Sequence, residues 1–391
     1  LETVSAGEAA VFAGDVSGLA ATYHVLPGLA MPLVTVSMLV YFFGDVPQRS
    51  LAAVRPVVPL ALFAGVAFIL PFTLTAVFLG PELPSIIAPI VGGGLTVGVL
   101  NRGWLLPDDQ WHLPADHTWP ENWTGSPPEN HADQPTGQQH TVTDGGQPLS
   151  LGRAWTPYFL LVVLLIGTRD FTPVGSALTR LDMFTLSWTG IFDTTLTNSI
   201  AWAYAPGTWL VATALIAIPL YGLSGTEIKH AWQEAGETTI APAVALTFII
   251  GTVGILLHSG QYGGAPGSQS MMLAIADGVG ETFGGVYTAV VAPIGVVGTF
   301  VTGSVMVSNV TFSPMQYELA GELGYNQAHV VAAQAAAGGI GNAISIHNVI
   351  AALATVGLMG KEGTVIRMNI LPVAAYTFII LMLLSTASLF V

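Results

Sequence analysis

The sequence contains no cysteine, which excludes disulfides, cysteine-type zinc sites and thiol catalysis. Charge is nearly as scarce. Asp, Glu, Lys and Arg together make up 8% of the 391 residues, against about 25% in an ordinary soluble domain. A soluble enzyme is therefore excluded as the default class. Basic residues number nine against 23 acidic ones, and Lys229 and Lys361 are the two lysines. A formal net charge of -14 speaks against nucleic acid as a partner. Two sources of the acidity stand side by side: a halophile's solvent, where dense carboxylates keep exposed surface hydrated, or one acidic linker that biases the count. No HExxH is present, so a zincin is excluded as well.

What the sequence has instead is apolar length. Hydrophobic residues make up 52% and the mean hydropathy is +0.66. A bilayer crossing takes roughly 20 apolar residues, and Val57 to Leu79 supplies such a run without one charge. Further candidate spans are Pro27 to Phe43, Leu83 to Leu100, Trp155 to Thr168, Thr208 to Leu223, Thr238 to Leu257, Val286 to Thr302 and Met368 to Val391. Ala328 to Gly360 is long enough for a broken pair. The pattern predicts an all-α, polytopic bundle of nine to eleven crossings, with the lipid bilayer of the cell membrane as its solvent. Residues 184 to 205 hold Asp193 and several threonines, and fit an amphipathic or re-entrant piece.

Residues 101–153 differ from everything around them, with seven acidic residues, four histidines and almost no aliphatic side chains. Such a segment buries too little apolar surface to offset the entropy of ordering, so it reads as an acidic loop. It separates N-terminal membrane helices (1–100) from a C-terminal transport region (154–391). The first residues, LETVSAGEAA, lack the pattern of a signal peptide and an initiator Met.

Two apolar stretches are interrupted by residues that a lipid-facing helix does not use. In VGTFVTGSVMVSNVTFSPMQ, Thr302, Gly303, Ser304, Ser308 and Asn309 precede Pro314, which is expected to end the helical pattern. In AAGGIGNAISIHNVIAA, Gly338 and Gly339 precede Asn342, Ser345, His347 and Asn348. Non-helical backbone survives at membrane depth only where protein or a wet cavity satisfies it, so a pair of such segments points to the midplane site of a secondary transporter. Free N–H groups of half-helices, with hydroxyl and amide donors, suit a carboxylate without a permanent cation. The same oxygens would suit Na+. Small residues also allow close helix packing, the role expected for Gly94 and Gly98.

For proton coupling His347 is the first candidate, because histidine titrates near pH ~6.5. His258 and Asp277 follow, since ionisable groups in membrane segments are functional candidates. GLSG at Gly222 to Gly225 is a weak GxSx pattern that leaves an intramembrane serine protease, through Ser224, as a remote alternative. No cofactor or metal is implied, and a homo-oligomer is compatible with the sequence.

Together these residues resemble the L-lactate permease family. GPELPSI at Gly80 to Ile86 resembles the family's GPELPDI, and RAWTPY at Arg153 to Tyr158 its RAWTPF. VTGSVMVSNVTFSPMQ is similar to FLTGSDTSSNALFGALQ, and VGLMGKEGTVIR at Val356 to Arg367 to VGLVGKEGDLFR. The resemblance implies proton symport of lactate, glycolate or a related 2-hydroxy monocarboxylate, with sodium coupling or another organic anion as the alternative. It also implies that the N-terminal part is lacking, because members extend beyond Leu1, and the acidic composition fits a haloarchaeal-type member. This chain departs from the pattern at both interruptions: Val305 stands where the family has an acid, and Ala343 where it has a lysine.

Overall fold

The computed structural model describes residues 6–44, 51–107, 143–144, 147–148, 150–169, 172–190, 197–262, 269–355, 358 and 360–389. Most of the acidic segment, with its four histidines, lies outside the described residues, as does Asp193. The helices are α1 (Ala6–Phe43), α2 (Leu51–Val54), α3 (Val58–Phe78), α4 (Pro84–Asn101), α5 (Leu151–Gly167), α6 (Pro173–Arg180), α7 (Pro206–Tyr221) and α8 (Gly225–Tyr262). They continue as α9 (Met271–Phe283), α10 (Tyr287–Thr302), α11 (Val305–Glu322), α12 (Gln327–Gly341), α13 (Ile346–Thr355) and α14 (Glu362–Ala387). Contacts divide the chain into two compact units, 1–129 with 243–391, and 130–242.

Among the described residues four helices are long and apolar enough to cross a membrane: residues 11–43 of α1, 52–78, α4 and α14. Gln327–Ile344 and Ile346–Leu353, bent by 46°, make a fifth if taken as one broken span. Shorter apolar helices lie at Gly152–Gly167, Pro206–Tyr221, Thr247–Gly260 and Tyr287–Thr302. Of the nine to eleven expected crossings, length and composition thus pass four or five among the described residues. Apolar composition alone does not register where caps cut a helix short: the 16 residues of α7 extend only ~24 Å at 1.5 Å per residue, less than a hydrocarbon core of about 30 Å.

In the larger unit the helices pack backbone to backbone, as expected where lipid removes the hydrophobic drive between them and small residues decide the contact. A Cβ on Gly65 would stand 2.4 Å from Leu29 O, and one on Gly92 2.7 Å from Ala67 O. The expected GxxxG pair is not this contact: nothing lies within 4 Å of a Cβ on Gly94, and at Gly98 the nearest atom is the Arg102 guanidinium at 3.9 Å. Period alone does not tell which of three consecutive glycines faces the neighbour. The core gathers Tyr287, Val291, Leu319, Ala333, Ala336 and Ile380, so α10, α11, α12 and α14 surround it.

In the smaller unit the piece expected to be amphipathic or re-entrant contains a two-stranded antiparallel hairpin, Leu186–Thr189 against Thr197–Ile200. Its Thr, Trp and Ile content suits strands. Arg153 there donates to Leu220 O at 2.6 Å, tying α5 to the end of α7. Ser224 is a helix cap. Its N–H and hydroxyl both donate to Glu227 Oε2 at 2.7 Å, and its hydroxyl accepts from Glu227 N–H at 3.3 Å, the reciprocal capping box. That geometry, on an exposed residue, removes the basis of the protease reading.

Candidate functional site

Both interruptions are present, and the first falls at Gly303, eleven residues before Pro314, where the helical pattern was expected to end. α10 ends at Thr302, Gly303 takes a left-handed φ of 73°, and Ser304 starts α11 with its hydroxyl accepting from Val307 N–H at 3.4 Å. Only glycine adopts that φ without penalty. Pro314 lies inside α11, and α3, α4, α10 and α14 also carry internal prolines, a common feature of membrane helices. Thr302 and Ser304 stabilise the turn: the Thr302 hydroxyl is 2.8 Å from Gly298 O and 3.1 Å from Ser304 O, and accepts from Ser304 N–H at 3.3 Å.

The chain reverses at this turn. Ser308 donates to Gly295 O at 3.3 Å, and Tyr287 reaches Gln316, so α10 and α11 form a helical hairpin with Gly303 at its tip. Unpartnered N–H groups at the start of α11 and the helix dipole make that tip favourable for negative charge.

The second interruption follows Gly341. One 3-10 turn, Asn342–Ile344, leads to Ser345 in extended conformation before α13 starts, and Asn369 Nδ2 holds the turn by donating to Ala343 O at 2.8 Å. α12 lies directly on α10. A Cβ on Gly341 would stand 2.8 Å from Val296 O, and one on Gly338 3.2 Å from Thr299 Oγ1. Gly339 points to the other side of α12, toward His24.

The two interruptions meet. Asn348 Nδ2 donates to Asn342 Oδ1 at 2.9 Å and to Gly303 O at 3.4 Å, so one amide joins the second break to the hairpin tip. The His347 ring covers the same tip, its Nδ1 2.9 Å from where a Gly303 Cβ would be. Among the described residues two buried hydroxyls here have no hydrogen-bond partner, Thr299 Oγ1 and Ser345 Oγ, and on α11 Asn309 Oδ1 has none either. A buried polar atom left unpaired costs about 1–3 kcal/mol, so the two hydroxyls at the junction favour a polar guest there.

Thr299 is absent from the residues selected on sequence, and so is the ladder beneath it. Tyr287 OH donates to Gln316 Oε1, Gln316 Nε2 to Gln334 Oε1 at 3.3 Å, and Gln334 Nε2 to Ser308 Oγ at 3.4 Å. All are buried, and the chain of bonds fastens α10, α11 and α12 together. Its signal in the sequence was two neutral amides inside small, apolar segments, Gln316 and Gln334. Two histidines were also passed over: Tyr23 OH lies 2.9 Å from His329 Nδ1, and Tyr376 OH 2.6 Å from His24 Nδ1.

The other proton-coupling candidates are not at the junction. His258 Nδ1 is bonded to Gly254 O one turn back on its own helix at 2.8 Å. Asp277, exposed on α9, accepts from Gln269 and lies beside Glu322. Glu322 closes α11, about 27 Å of helix from Ser304 at 1.5 Å per residue. Among the described residues no cluster of three metal-ligating side chains occurs.

The model of the L-lactate permease family matches residues 3–390. The L-lactate permease of Escherichia coli K12 is 25% identical over 388 residues, 94% of this chain and 65% of its own length. That of Bacillus subtilis 168 is 26% identical over 337 residues, 80% of this chain and 56% of its own. The glycolate permease of Escherichia coli K12 is 24% identical over 380 residues, 92% and 63% of the two chains. This chain therefore spans less than two thirds of the length of these relatives. No solved structure matches it.

Proposed function

We propose a carrier function on one premise: the chain belongs to the L-lactate permease family. It moves lactate, glycolate or a related 2-hydroxy monocarboxylate across the cell membrane, in symport with a proton. The observation that carries the placement of the site is the Asn348 bridge from the second interrupted helix to the tip of the first.

The substrate's carboxylate sits at this junction, on the N–H groups that start α11 and on the Asn348 amide. Its 2-hydroxyl pairs with the unpartnered oxygens of Thr299 and Ser345. Ser308 and Asn309 support the site from α11, while Gly338 and Gly341 let α12 approach α10 closely enough to close it. No Lys or Arg is among the described residues named at the junction, so the charge of the guest is met by peptide and side-chain dipoles. His347, on the tip and exposed, is the group placed to exchange the coupled proton with water.

A second reading takes Na+ as the coupling ion. The unpaired oxygens of Thr299 and Ser345 at the junction are the ligand type a hard cation prefers.

The test is uptake of labelled lactate by proteoliposomes. Ser304→Ala, Asn309→Ala and Asn348→Ala each lower the uptake rate with unchanged protein level, and His347→Ala removes its dependence on an inward proton gradient. Wild-type behaviour in all four refutes the site. Uptake driven by a sodium gradient alone selects the second reading.

A further inference from the structure

The hairpin of the smaller unit has two unlike faces. Its register pairs Leu186 with Ile200 and Ser187 with Ser199, and successive side chains of a strand point to opposite faces. Leu186, Trp188 and Ile200 therefore share one face, and Ser187, Thr189 and Ser199 the other. Both faces are open. Leu186 is 68% exposed, Trp188 61% and Ile200 59%, and the three hydroxyl residues are exposed as well.

The base of the hairpin is fixed to the ends of two apolar helices. The Thr208 hydroxyl donates to Trp202 O and Trp209 Nε1 to Ala203 O at 3.0 Å, which holds the exit of the second strand on the first turn of α7. Arg169, buried just past the end of α5, donates to Tyr204 O at 3.0 Å with its guanidinium 4.4 Å from the centre of the Tyr204 ring. The hairpin thus lies where α5 ends and α7 begins. Both helices expose large apolar side chains along their length, Phe159 and Val163 on α5 and Leu210 and Leu215 on α7, the surface that a membrane protein turns to lipid.

Strands of four residues extend only ~13 Å at about 3.3 Å per residue, against a hydrocarbon core of about 30 Å, so the hairpin does not cross. It does not sit within the core either. The sheet has two strands among the described residues, and the outer edges present backbone N–H and C=O groups that hydrocarbon cannot satisfy. Water does not account for the apolar face, because a two-stranded hairpin is marginal there without a surface to pack on, and exposed apolar patches mark contact surfaces. The boundary between the two media suits both faces. Headgroups and water meet the backbone edges and the hydroxyls, acyl chains meet the apolar face, and tryptophan is enriched at that depth. We propose that the hairpin is an interfacial anchor lying flat in the bilayer surface, with Leu186, Trp188 and Ile200 turned to lipid acyl chains and Ser187, Thr189 and Ser199 to water. Residues 184–205 are then an amphipathic piece and not a re-entrant one. This rests on membrane residence and not on the cargo, so its test is independent of transport.

The chain has no cysteine, so a single introduced one carries a nitroxide label at a chosen position. Leu186→Cys, Ser187→Cys, Ser199→Cys and Ile200→Cys are labelled in the purified full chain and reconstituted into phosphatidylcholine bilayers. Spin resonance then compares the collision of each label with oxygen, which concentrates in lipid, and with a neutral nickel chelate, which stays in water. The oxygen-to-nickel ratio is high for the labels replacing Leu186 and Ile200 and falls several-fold for those replacing Ser187 and Ser199. A second reading uses the native side chain: lipids brominated along the acyl chain quench the part of the fluorescence that Trp188→Phe removes. It decides the matter if a labelled variant is not monodisperse. Nickel dominating at all four positions would put the hairpin in water, and oxygen dominating at all four would put it in the core. Little collision with either reagent on the Leu186 and Ile200 face would mean that protein covers it, a second copy or another segment of the carrier. Each of these results, or Trp188 fluorescence untouched by acyl-chain bromine, would overturn the proposal.

Discussion

Thr299→Val is the substitution on which the junction can be judged most directly. Threonines in these helices generally return their hydroxyl to the carbonyl four residues back, as Thr302 does to Gly298 O and Thr311 to Val307 O, both at 2.8 Å. For Thr299 that carbonyl is Gly295 O, which already accepts the Ser308 hydroxyl at 3.3 Å. The Thr299 hydroxyl is left buried and unpaired, at a cost of about 1–3 kcal/mol. Valine keeps the shape and removes that cost, so without substrate the variant melts at the same temperature as wild type or higher. A gain of ~1 kcal/mol corresponds to a few degrees in a protein of this size. In uptake the direction reverses. The guest loses a hydrogen bond of about 0.5–1.5 kcal/mol, which lowers the apparent lactate affinity roughly two- to tenfold, while Thr299→Ser retains it. Melting curves of purified protein with and without lactate, beside uptake kinetics, provide both readouts. A valine variant that melts lower and transports normally would refute the reasoning, because the hydroxyl would then have a structural partner and no role at the site.

Gly303→Ala places a Cβ at a left-handed φ and against His347. The conformation alone costs about 1–2 kcal/mol, so the variant melts lower and uptake falls, and adding His347→Ala recovers only the part due to the contact. A double variant equal to wild type would contradict the tip geometry. Gln334→Leu severs the ladder and strands Gln316 and Ser308, with an expected loss of about 2–4 kcal/mol, read by denaturant or thermal unfolding; an unchanged midpoint would show that the ladder is not formed. Ser224→Ala removes a helix cap worth ~1 kcal/mol, lowers stability slightly and leaves uptake intact, and wild-type protein is not labelled by a fluorophosphonate. Labelling at Ser224 would reinstate hydrolytic chemistry there.

How far the site was legible depends on what kind of signal each residue leaves. Glycine, serine and asparagine inside an apolar run conflict with a lipid-facing helix, so the interruptions at Gly303 and at Asn342 to Ser345 were visible as local inconsistencies. The hairpin reversal was not, because Pro314 looked the stronger punctuation, yet a membrane helix tolerates proline while a left-handed glycine followed by a capping serine ends it. Thr299, Gln316 and Gln334 leave no local conflict: one threonine or amide in a helix is ordinary until its neighbours on other helices are known. His24 and His329 were hidden for the same reason, since a histidine in a long apolar helix takes its meaning from the tyrosine it meets on another.

The sequence by itself determined the solvent of this protein, its helical character and the two places where the helices fail. Each of these follows from local composition: too little charge for water, apolar runs of bilayer length, and backbone polar groups that lipid cannot satisfy. Tertiary structure alone decided that the two failures touch through Asn348, that glycine faces of α10 and α12 bring their backbones together, and that a ladder of neutral amides holds the hairpin. Those contacts join residues far apart in the chain, and their partners are chosen by packing and by the requirement that buried polar groups be paired, which no single segment carries in its own residues.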